Sequence, residues 1–312
     1  MVNIMPNISI VIPVYNAQDV LSELHERLSR VIPSLKSEVE ILMVDDGSGD
    51  GSWETIERIA HKDRRVKGIQ LTKNFGQHNA LLCGIRAAAG DVIITMDDDL
   101  QNPPEEIPRL LAKLNEGFDV VYGTPDQEQH SLWRDTASRL TKILLQTAMG
   151  VETARQVSAF RIFRAWLKDA FAHYHDSFIS IDVLLTWGTN RFAAITTKHD
   201  LRRAGQSNYT FGKLVYHALN MFTGFSTLPL RFASFTGFAL TLFGIGVFVY
   251  VIAKFLIYGA VVPGFAFLAS IIAIFSGAQL FALGILGEYM ARVHFRTMAK
   301  PSYSVRTTTF KN

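Results

Sequence analysis

The sequence predicts an α/β domain built on a mostly parallel sheet, followed by an amphipathic helix and two transmembrane helices. Short runs rich in β-branched residues alternate with stretches of helical apolar spacing, which favours right-handed βαβ units. Two apolar runs then follow, 232–258 and 265–290, and each exceeds the roughly 20 residues needed to span a bilayer core. We therefore expect the α/β domain over 1–208, the amphipathic helix over 209–229, two transmembrane helices over 230–291 and a C-terminal tail over 292–312.

The strands and helices of the α/β domain follow one another in a regular order. Runs of β-branched residues closed by turn residues predict strands, and the strongest turn signal is Asp46-Gly-Ser-Gly-Asp-Gly51. The strands are expected at 8–14, 40–45, 66–71, 91–96, 119–123, 160–163 and 191–197. The helices are expected at 20–31, 53–61, 77–88, 104–116 and 132–149, with further helices from Trp166 and around 179–187.

Composition limits the classes of protein to which the chain can belong. A hydrophobic fraction of 48% and a mean hydropathy of +0.17 are high for a soluble enzyme, and the excess lies after about Leu228. The net charge of +3 gives no sign of nucleic-acid binding, while a pI near 8.9 weakly fits an anionic membrane surface. The single cysteine, Cys83, lies in an apolar run, so we interpret it as a core thiol in a reducing compartment. Residues 1–7 carry no signal-peptide pattern.

The residues within and around the two apolar runs predict how the chain is oriented in a membrane. Residues 209–223 place apolar side chains on one helical face, which fits either a core-facing helix or, as we prefer, a helix at the bilayer surface. Lys254 and Glu288 lie near the ends of the two long runs, where they can reach the interface. Basic residues flank the two runs, whereas the connection 259–264 carries no charge. Both flanks are therefore expected to be cytoplasmic.

Three consecutive carboxylates, Asp97, Asp98 and Asp99, follow the fourth expected strand. Neighbouring carboxylates repel one another and resist burial, and a divalent cation is the simplest group that reverses this cost. In an extended segment alternate side chains share a face, so Asp97, Asp99 and Gln101 are expected to point together while Asp98 points away. An ordinary acidic loop is the alternative. We favour a metal site, because the strand, the alternation and the two prolines that follow all agree with it.

Polar residues also follow the first two expected strands. Tyr15 and Asn16 follow the first strand, and Asp45 and Asp46 close the second. The carboxyl ends of parallel strands share one edge of a sheet, which is where ligands bind in such folds. The Asp45 and Asp46 oxygens can accept hydrogen bonds from a base or a ribose, and a metal beside them favours a nucleoside diphosphate. Neither Gly-x-Gly-x-x-Gly nor Gly-Lys-Ser/Thr occurs, so a dinucleotide or P-loop site is not expected.

Four motifs together resemble a known family. Ile12-Pro-Val-Tyr-Asn16, Val44-Asp-Asp-Gly-Ser48, Asn74-Phe-Gly76 and Asp97-Asp-Asp-Leu-Gln101 are similar to motifs of the inverting glycosyltransferases of family 2, which have a Rossmann-like fold of type A. The two spans, Gly287-Glu-Tyr-Met-Ala-Arg292 and Gln101-Asn-Pro-Pro-Glu-Glu-Ile-Pro108 narrow the resemblance to polyprenyl-phosphate glycosyltransferases. That group includes dolichol-phosphate mannose synthase, bactoprenol glucosyltransferases and undecaprenyl-phosphate aminoarabinose transferases.

The resemblance implies a reaction and a location. A sugar would pass with inversion from a nucleoside diphosphate sugar, with a UDP-sugar favoured, to a polyprenyl phosphate such as undecaprenyl phosphate. The catalytic domain would lie at the cytoplasmic face of a bacterial inner membrane and serve cell-envelope glycan or lipid modification. A homo-oligomer, specifically a tetramer, and Mg²⁺ or Mn²⁺ as the cofactor are also implied.

The resemblance further assigns roles to individual residues. Nucleotide binding is implied for Pro13, Tyr15, Asn16, Asp45, Asp46, Asp97 and Asp98. Metal binding is implied for Asp97, Asp99 and Gln101. Contact with the acceptor phosphate is implied for Arg134, Ser138, Arg202 and Ser207. The implied catalytic set is Asp97, Asp99, Arg134 and Arg202.

Three positions depart from the pattern of the resembled group and keep other functions open. Asn208 replaces a lysine or arginine, Pro125 stands where some relatives carry an arginine, and Ala159 replaces an aspartate. Each change removes a charge near the expected reaction centre, which motivates a catalytically altered membrane scaffold as one alternative. A hydroxyl-directed family 2 enzyme is the other alternative, although the Gln-x-x-Arg-Trp element of such enzymes is absent.

Overall fold

The computed structural model describes residues 7–125, 156–175, 179–200, 228–259, 264–298 and 300–310. The chain divides into two compact units, one formed by Met1–Val215 with Ala299–Asn312 and the other by Tyr216–Met298. The helices expected at 132–149 and 209–223 lie outside the described residues.

The described part of the first unit contains one sheet of eight strands flanked by helices. The strands are β1 (Ile8–Val14), β2 (Val39–Asp45), β3 (Val66–Leu71), β4 (Val92–Thr95), β5 (Val120–Pro125), β6 (Arg161–Arg164), β7 (Phe192–Thr197) and β8 (Val305–Thr308). The helices are α1 (Gln18–Val31), α2 (Ser52–Lys62), α3 (Gln77–Ala87), α4 (Ile107–Asn115) and α5 (Ile181–Leu185). Short 3-10 segments lie at Ile32–Leu35, Pro104–Glu106 and Ala165–Phe171.

The sheet has the strand order β7-β5-β6-β4-β1-β2-β3-β8, and its centre is parallel as the sequence predicts. β1 pairs in parallel with β2 and β4, β2 with β3, and β5 with β7. Every residue of β1 and β4 is buried, as expected for central strands covered on both faces. In the register, Val14 is opposite Asp45 and Val11 is opposite Thr95, so the carboxyl ends of β1, β2 and β4 meet at one edge.

Helix α1 packs an apolar face against this sheet. Its buried residues recur at helical spacing and belong to the main hydrophobic core: Val20, Leu21, Leu24, Leu28 and Val31. Burial of each such side chain contributes about 1.5–3 kcal/mol. The apolar pattern that predicted this helix is therefore also what fixes it to the sheet.

Asp63 connects α1, α2 and β3. It follows the last residue of α2, and its carboxylate accepts hydrogen bonds from the Arg65 guanidinium (2.7 Å) and from His25 Nε2 of α1 (2.9 Å). The Arg65 guanidinium, with a further contribution from His25, holds the pKa of Asp63 well below its usual range. The Asp63 side chain is only 13% exposed.

β6 is one of the antiparallel strands of this mostly parallel sheet. It runs antiparallel to both of its neighbours, β4 and β5. Because β6 begins at the sheet edge where β5 ends, it enters the sheet in the opposite direction. A buried ion pair between Arg161 of β6 and Asp182 of α5 ties this strand to the adjacent helix, and Tyr122 OH donates to Asp182 Oδ1 (3.1 Å).

β8 is a difference from the expected elements, because the sequence predicts no strand after residue 292. Val305–Thr308 pairs antiparallel with β3, placing Thr307 opposite Gln70 and Thr308 opposite Ile69. The strand is short and mostly exposed, so it lacks the apolar alternation by which strands are recognised. The helix expected from residue 104 begins with a 3-10 turn before α4, whereas the helix expected from Trp166 is a 3-10 segment throughout, Ala165–Phe171.

The described part of the second unit consists of two long apolar helices, α6 (Leu228–Tyr258) and α7 (Phe265–Thr297). Both are long and apolar enough to cross a membrane, and their large apolar side chains are mostly exposed. A Cβ atom added at Gly244 of α6 would lie 3.0 Å from the Phe275 ring of α7, so the two helices pack closely there. The prediction of two apolar helices is confirmed, although α7 continues beyond its expected end.

Candidate active site

A cavity of about 250 Å³ opens where β1, β2 and β4 end. It is lined by Pro13, Val14, Tyr15, Asp46, Asn74, Gly76, Gln77, Asp97, Asp98 and Asp99. Four of these described lining residues are carboxylates, and none of them is lysine, arginine or histidine. An anionic ligand in such a cavity therefore requires cations from elsewhere.

The aspartate run does not continue β4 as an extended segment, so the expected alternation is wrong. β4 ends at Thr95, and Leu100 adopts a left-handed backbone with φ of 59° while its side chain is buried. A left-handed leucine is energetically costly, so its packing in the core must hold the turn. As a result Asp97, Asp98 and Asp99 all line the cavity, and Asp98 does not point away.

Each aspartate of the run has an identified partner. The Tyr15 N–H donates to Asp98 Oδ2 (3.1 Å), which joins the end of β1 to the aspartate loop. Gln77 Nε2 donates to Asp97 Oδ1 (2.6 Å). The Gln101 N–H donates to Asp99 Oδ1 (3.1 Å). Gln101 therefore contacts the site only through this main-chain hydrogen bond among the interactions described, and it does not line the cavity.

Asp45 presents a buried acceptor at the end of β2. Its side chain is fully buried, and its Oδ1 accepts a hydrogen bond from the Ser48 N–H (3.2 Å). Its Oδ2 is buried without a hydrogen-bond partner among the described residues. An unsatisfied buried oxygen is costly, but Asp45 is not among the cavity-lining residues, so a ligand in the cavity does not meet this oxygen directly.

Asp46 holds a neighbouring loop in place. Its Oδ1 accepts from the Phe75 N–H (2.7 Å) and its Oδ2 from the Gly76 N–H (2.8 Å). Burial raises the pKa of Asp46, which the two main-chain hydrogen bonds partly offset. Both carboxylate oxygens are therefore engaged by the protein, although Asp46 also lines the cavity.

Tyr15 and Asn16 take different positions at the end of β1. Tyr15 is 52% exposed and lines the cavity, as does Pro13. Asn16 instead braces the turn after β2, because its N–H donates to Ser48 Oγ (3.0 Å) and its Oδ1 accepts from the Gly49 N–H (2.9 Å). Asn16 adopts a left-handed backbone with φ of 52°, which suits asparagine.

Gln77 was not predicted to line the cavity. Asn74 and Gly76 were noted only as part of the Asn74-Phe-Gly76 motif, with no role of their own. The signal in the sequence was the Asn-Phe-Gly motif directly before a predicted helix. Gly76 precedes α3 with φ of 97°, a conformation that favours glycine. This turn places Gln77 at the start of α3, beside the aspartate loop. Arg134, Ser138, Arg202 and Ser207 lie outside the described residues.

The donor set fits a divalent metal that is only partly coordinated by protein. Among the described residues, no group of three or more His, Cys, Asp or Glu side chains is placed to hold a metal ion. Mg²⁺ commonly binds through one or two carboxylates and completes its shell with substrate phosphates and water. Asp97 and Asp99, adjacent in one cavity, match that requirement.

The α/β unit matches a known protein family. The family described as glycosyl transferase family 2 matches residues 9–178, which is more than half of the chain. The chain belongs to glycosyl transferase family 2. The α/β fold with its parallel centre and strand-end cavity is thus the fold of this family, as the sequence motifs predicted.

Two relatives of this glycosyltransferase match almost its whole length. Undecaprenyl-phosphate 4-deoxy-4-formamido-L-arabinose transferase from Proteus mirabilis (strain HI4320) is 37% identical over 96% of this chain and 93% of its own. The protein of that name from Yersinia pestis (strain Pestoides F) is 38% identical over 96% of this chain and 92% of its own.

Solved structures show the same fold at low identity. Glucosyl-3-phosphoglycerate synthase from Mycobacterium tuberculosis, in complex with Mn²⁺, UDP-glucose and phosphoglyceric acid, superposes with a TM-score of 0.52 at 18% identity. The match covers 70% of this glycosyltransferase and 78% of the synthase. Another crystal structure of the same synthase gives a TM-score of 0.51. These likenesses establish the type A fold of the family 2 chain.

Proposed function

We propose that this chain transfers a sugar, with inversion, from a UDP-sugar to undecaprenyl phosphate at the cytoplasmic face of a bacterial inner membrane. The observation that carries the proposal is the 37–38% identity over 96% of the chain to two undecaprenyl-phosphate sugar transferases. Because those relatives are named for a 4-deoxy-4-formamido-L-arabinose unit, a UDP-linked formamido-pentose is the first donor to test.

The donor nucleotide would bind along the ends of β1 and β2. We assign Asp45 to the nucleotide as the family resemblance implies; because its Oδ2 is buried, a base N–H or a ribose hydroxyl would reach it only after the surrounding chain moves. The half-exposed Tyr15 ring can stack on a base, and Pro13 forms the adjoining wall. Asp46 would act indirectly, by holding the loop that carries Asn74 into the cavity.

The donor diphosphate would lie toward the aspartate loop. Four carboxylates line the cavity, so a diphosphate placed there would be repelled unless a cation lay between them. We assign the cation, Mg²⁺ or Mn²⁺, to Asp97 and Asp99, with Gln101 acting through its main chain. When bound, the ion supplies Lewis-acid stabilisation of the departing diphosphate.

The acceptor needs little activation by the protein. A phosphate monoester has a second pKa near 6 and is mostly dianionic at neutral pH, so it can attack the anomeric carbon without a strong base. The remaining tasks are alignment of the acceptor and compensation of its charge. We assign these tasks to Arg134, Ser138, Arg202 and Ser207, as the family resemblance implies.

The membrane location is supported by α6 and α7, whose exposed apolar surfaces fit a bilayer. We further propose that the catalytic unit faces the cytoplasm, because basic residues flank the two helices while the connection between them carries no charge. A homo-tetramer is also proposed, and mass measurement of the detergent-solubilised chain would test it.

A donor panel tests the proposed function. The full chain in detergent is incubated with undecaprenyl phosphate, Mg²⁺ or Mn²⁺, and radiolabelled UDP- and GDP-sugars. We expect label in the lipid phase with one UDP-sugar and dependence on the added metal. No labelled lipid with any donor would favour the non-catalytic scaffold. Label in a hydroxyl acceptor instead of the lipid phosphate would favour the hydroxyl-directed enzyme.

A further inference from the structure

Gln77 lines the cavity and contacts the aspartate loop through its side chain, whereas Tyr15 contacts that loop through its main chain. It is the first residue of α3, and its Nε2 donates to Asp97 Oδ1 over 2.6 Å. We propose that Gln77 is a positioning residue, which sets the orientation of the Asp97 carboxylate for a divalent cation. This inference rests on the proposed function, because it assumes that a cation binds at Asp97.

The main chain before Gln77 is fixed independently of Asp97. Both oxygens of Asp46 accept hydrogen bonds from the two preceding residues, at 2.7 Å from Phe75 and 2.8 Å from Gly76. The turn also packs against Gly47, where an added Cβ atom would lie 2.5 Å from the carbonyl carbon of Lys73. The turn therefore has its own support at the end of β2.

The first turn of α3 adds a second support. Asn79 Nδ2 donates to the Phe75 carbonyl (2.6 Å), and the Asn79 N–H donates to the Gly76 carbonyl (2.9 Å). Asn79 is itself buried. Gln77 is thus held on a braced helix start, from which its amide can fix the carboxylate of a loop on another strand. Such outer partners of metal-binding carboxylates orient them and tune metal affinity.

The neutrality of Gln77 is what suits it to this place. The amide donates a hydrogen bond to Asp97 without adding charge to a cavity lined by four carboxylates. A lysine at this position would reach Asp97 with a positive charge and compete with a cation for the same carboxylate. A residue without a donor would leave the Asp97 carboxylate without the hydrogen bond that now orients it.

Binding of Mn²⁺ measures this role without relying on turnover. Electron paramagnetic resonance of free Mn²⁺ is recorded while the full chain in detergent is titrated in the presence of UDP. The variants are Gln77→Met, which keeps the side-chain length but removes the donor, and Gln77→Lys. Gln77→Ala is the second variant if methionine disturbs packing, and each variant is checked by thermal melting. Exposed Gln156 provides the matched control, Gln156→Ala.

We expect Gln77→Met to weaken UDP-dependent Mn²⁺ binding by about tenfold or more. Gln77→Lys should weaken it further, and Gln156→Ala should leave it unchanged. If Gln77 only held the local structure together, Gln77→Lys should keep wild-type Mn²⁺ affinity, because lysine can also donate a hydrogen bond to Asp97. Mn²⁺ affinity of Gln77→Met or Gln77→Ala within about twofold of wild type would overturn the inference.

Asp97→Asn separates this inference from the proposed function. Suppose that UDP-dependent Mn²⁺ binding is lost in Asp97→Asn but unchanged in Gln77→Met. That result would overturn the Gln77 inference and leave the metal assignment to Asp97 in place. Absence of UDP-dependent Mn²⁺ binding in the wild-type chain would overturn it together with the metal assignment. The donor panel reports separately on transfer.

Discussion

Asp99 is the carboxylate whose substitution tests the site most directly. It lines the cavity, and its Oδ1 is held by the Gln101 N–H. We expect Asp99→Ala to lower the rate of sugar transfer by about 100-fold or more, because charge on the departing diphosphate would lose its compensation. Transfer is measured with radiolabelled donor in membranes containing matched amounts of protein.

Two comparisons make that experiment decisive. Exposed Asp19 in α1 supplies a control, and Asp19→Ala should keep wild-type activity. Expression and membrane location should be the same for both variants. Full activity of Asp99→Ala would rule out a metal role for this residue.

Gly47 is a residue at which backbone geometry leaves no room for a side chain. Its φ is 68°, and a Cβ atom would lie 2.5 Å from the Lys73 carbonyl carbon and 2.7 Å from the Asn74 nitrogen. We expect Gly47→Ala to lower the free energy of unfolding by about 1–3 kcal/mol and to weaken UDP binding, since it displaces the loop that carries Asn74. Thermal melting and UDP titration measure the two effects.

Gly49 is the matched control for that substitution. An added Cβ atom there would meet only Asn16 Oδ1 at 4.0 Å, which is an ordinary contact. Gly49→Ala should therefore leave both UDP affinity and stability close to wild type. Equal effects at the two glycines would contradict the steric explanation.

At the residue scale, the sequence predicted carboxylates at this edge of the sheet, but the expected alternation wrongly turned Asp98 away from the cavity. The strand and the three carboxylates were visible in the sequence, whereas the turn at Leu100 was not, because leucine rarely adopts a positive φ. Gln77 was not predicted either, since its role depends on a contact between residues 20 positions apart. Such contacts are set by tertiary packing rather than by local pattern.

Among the elements, the junction of α1, α2 and β3 is predicted to be sensitive to pH through Asp63. The pKa of Asp63 is lowered in the folded chain, so its stabilisation is present above the unfolded pKa of about 3.9 and is lost as pH falls through the folded pKa. We expect Asp63→Asn to lower the melting temperature at pH 7. The difference from wild type should shrink as pH falls below about 4.

Melting curves of wild type, Asp63→Asn and the control Asp19→Asn across pH 3 to 7 measure this dependence. The control should differ little from wild type at any pH, because Asp19 is exposed. A difference between wild type and Asp63→Asn that stays constant over the whole range would contradict the assignment.

β8 protects the edge of the sheet at β3. The Thr72 N–H donates to the Ser304 carbonyl (2.9 Å), the Thr309 N–H to the Gly68 carbonyl (3.0 Å), and the Gly68 N–H to Thr309 Oγ1 (2.8 Å). Removal of residues 304–312 should therefore speed amide hydrogen exchange at Gly68 and Thr72 and promote aggregation. Exchange in the central strand β1 should change much less.

A smaller change isolates one of these contacts. Thr309→Ala removes the acceptor of the Gly68 N–H but leaves the main-chain pairing in place. It should speed exchange at Gly68 more than at Thr72. Unchanged exchange at both amides after removal of 304–312 would show that β8 does not pair with β3 in solution.

At the element scale, periodicity predicted the parallel centre of the sheet and failed at its irregular strands. β1, β2 and β4 are apolar enough to be recognised as buried strands. β8 is short and mostly exposed, and its pairing with β3 joins residues far apart in the chain. The direction of β6 likewise depends on where the chain re-enters the sheet, which no local pattern records.

For the whole molecule, α6 is predicted to be held in a bilayer by its apolar surface. Phe243 lies near the middle of α6 and is 56% exposed. Phe243→Arg should disfavour insertion by about 2.5–3.5 kcal/mol, because a charge would lie near the bilayer centre. The fraction of protein that resists alkaline carbonate extraction measures the effect.

Tyr258, the last residue of α6, provides the control. Tyr258→Arg should be tolerated, because a long basic side chain at a helix end can reach the interface. Equal extraction of wild type and Phe243→Arg would contradict a transmembrane α6.

The pairing of β8 with β3 also orders events during synthesis. More than 200 residues, including both apolar helices, separate the two strands in the sequence. At roughly 5–20 residues per second, a ribosome needs about 10 s or more to supply the missing strand after β3 emerges. Delivery of α6 and α7 to the insertion machinery would therefore begin before the catalytic sheet is complete.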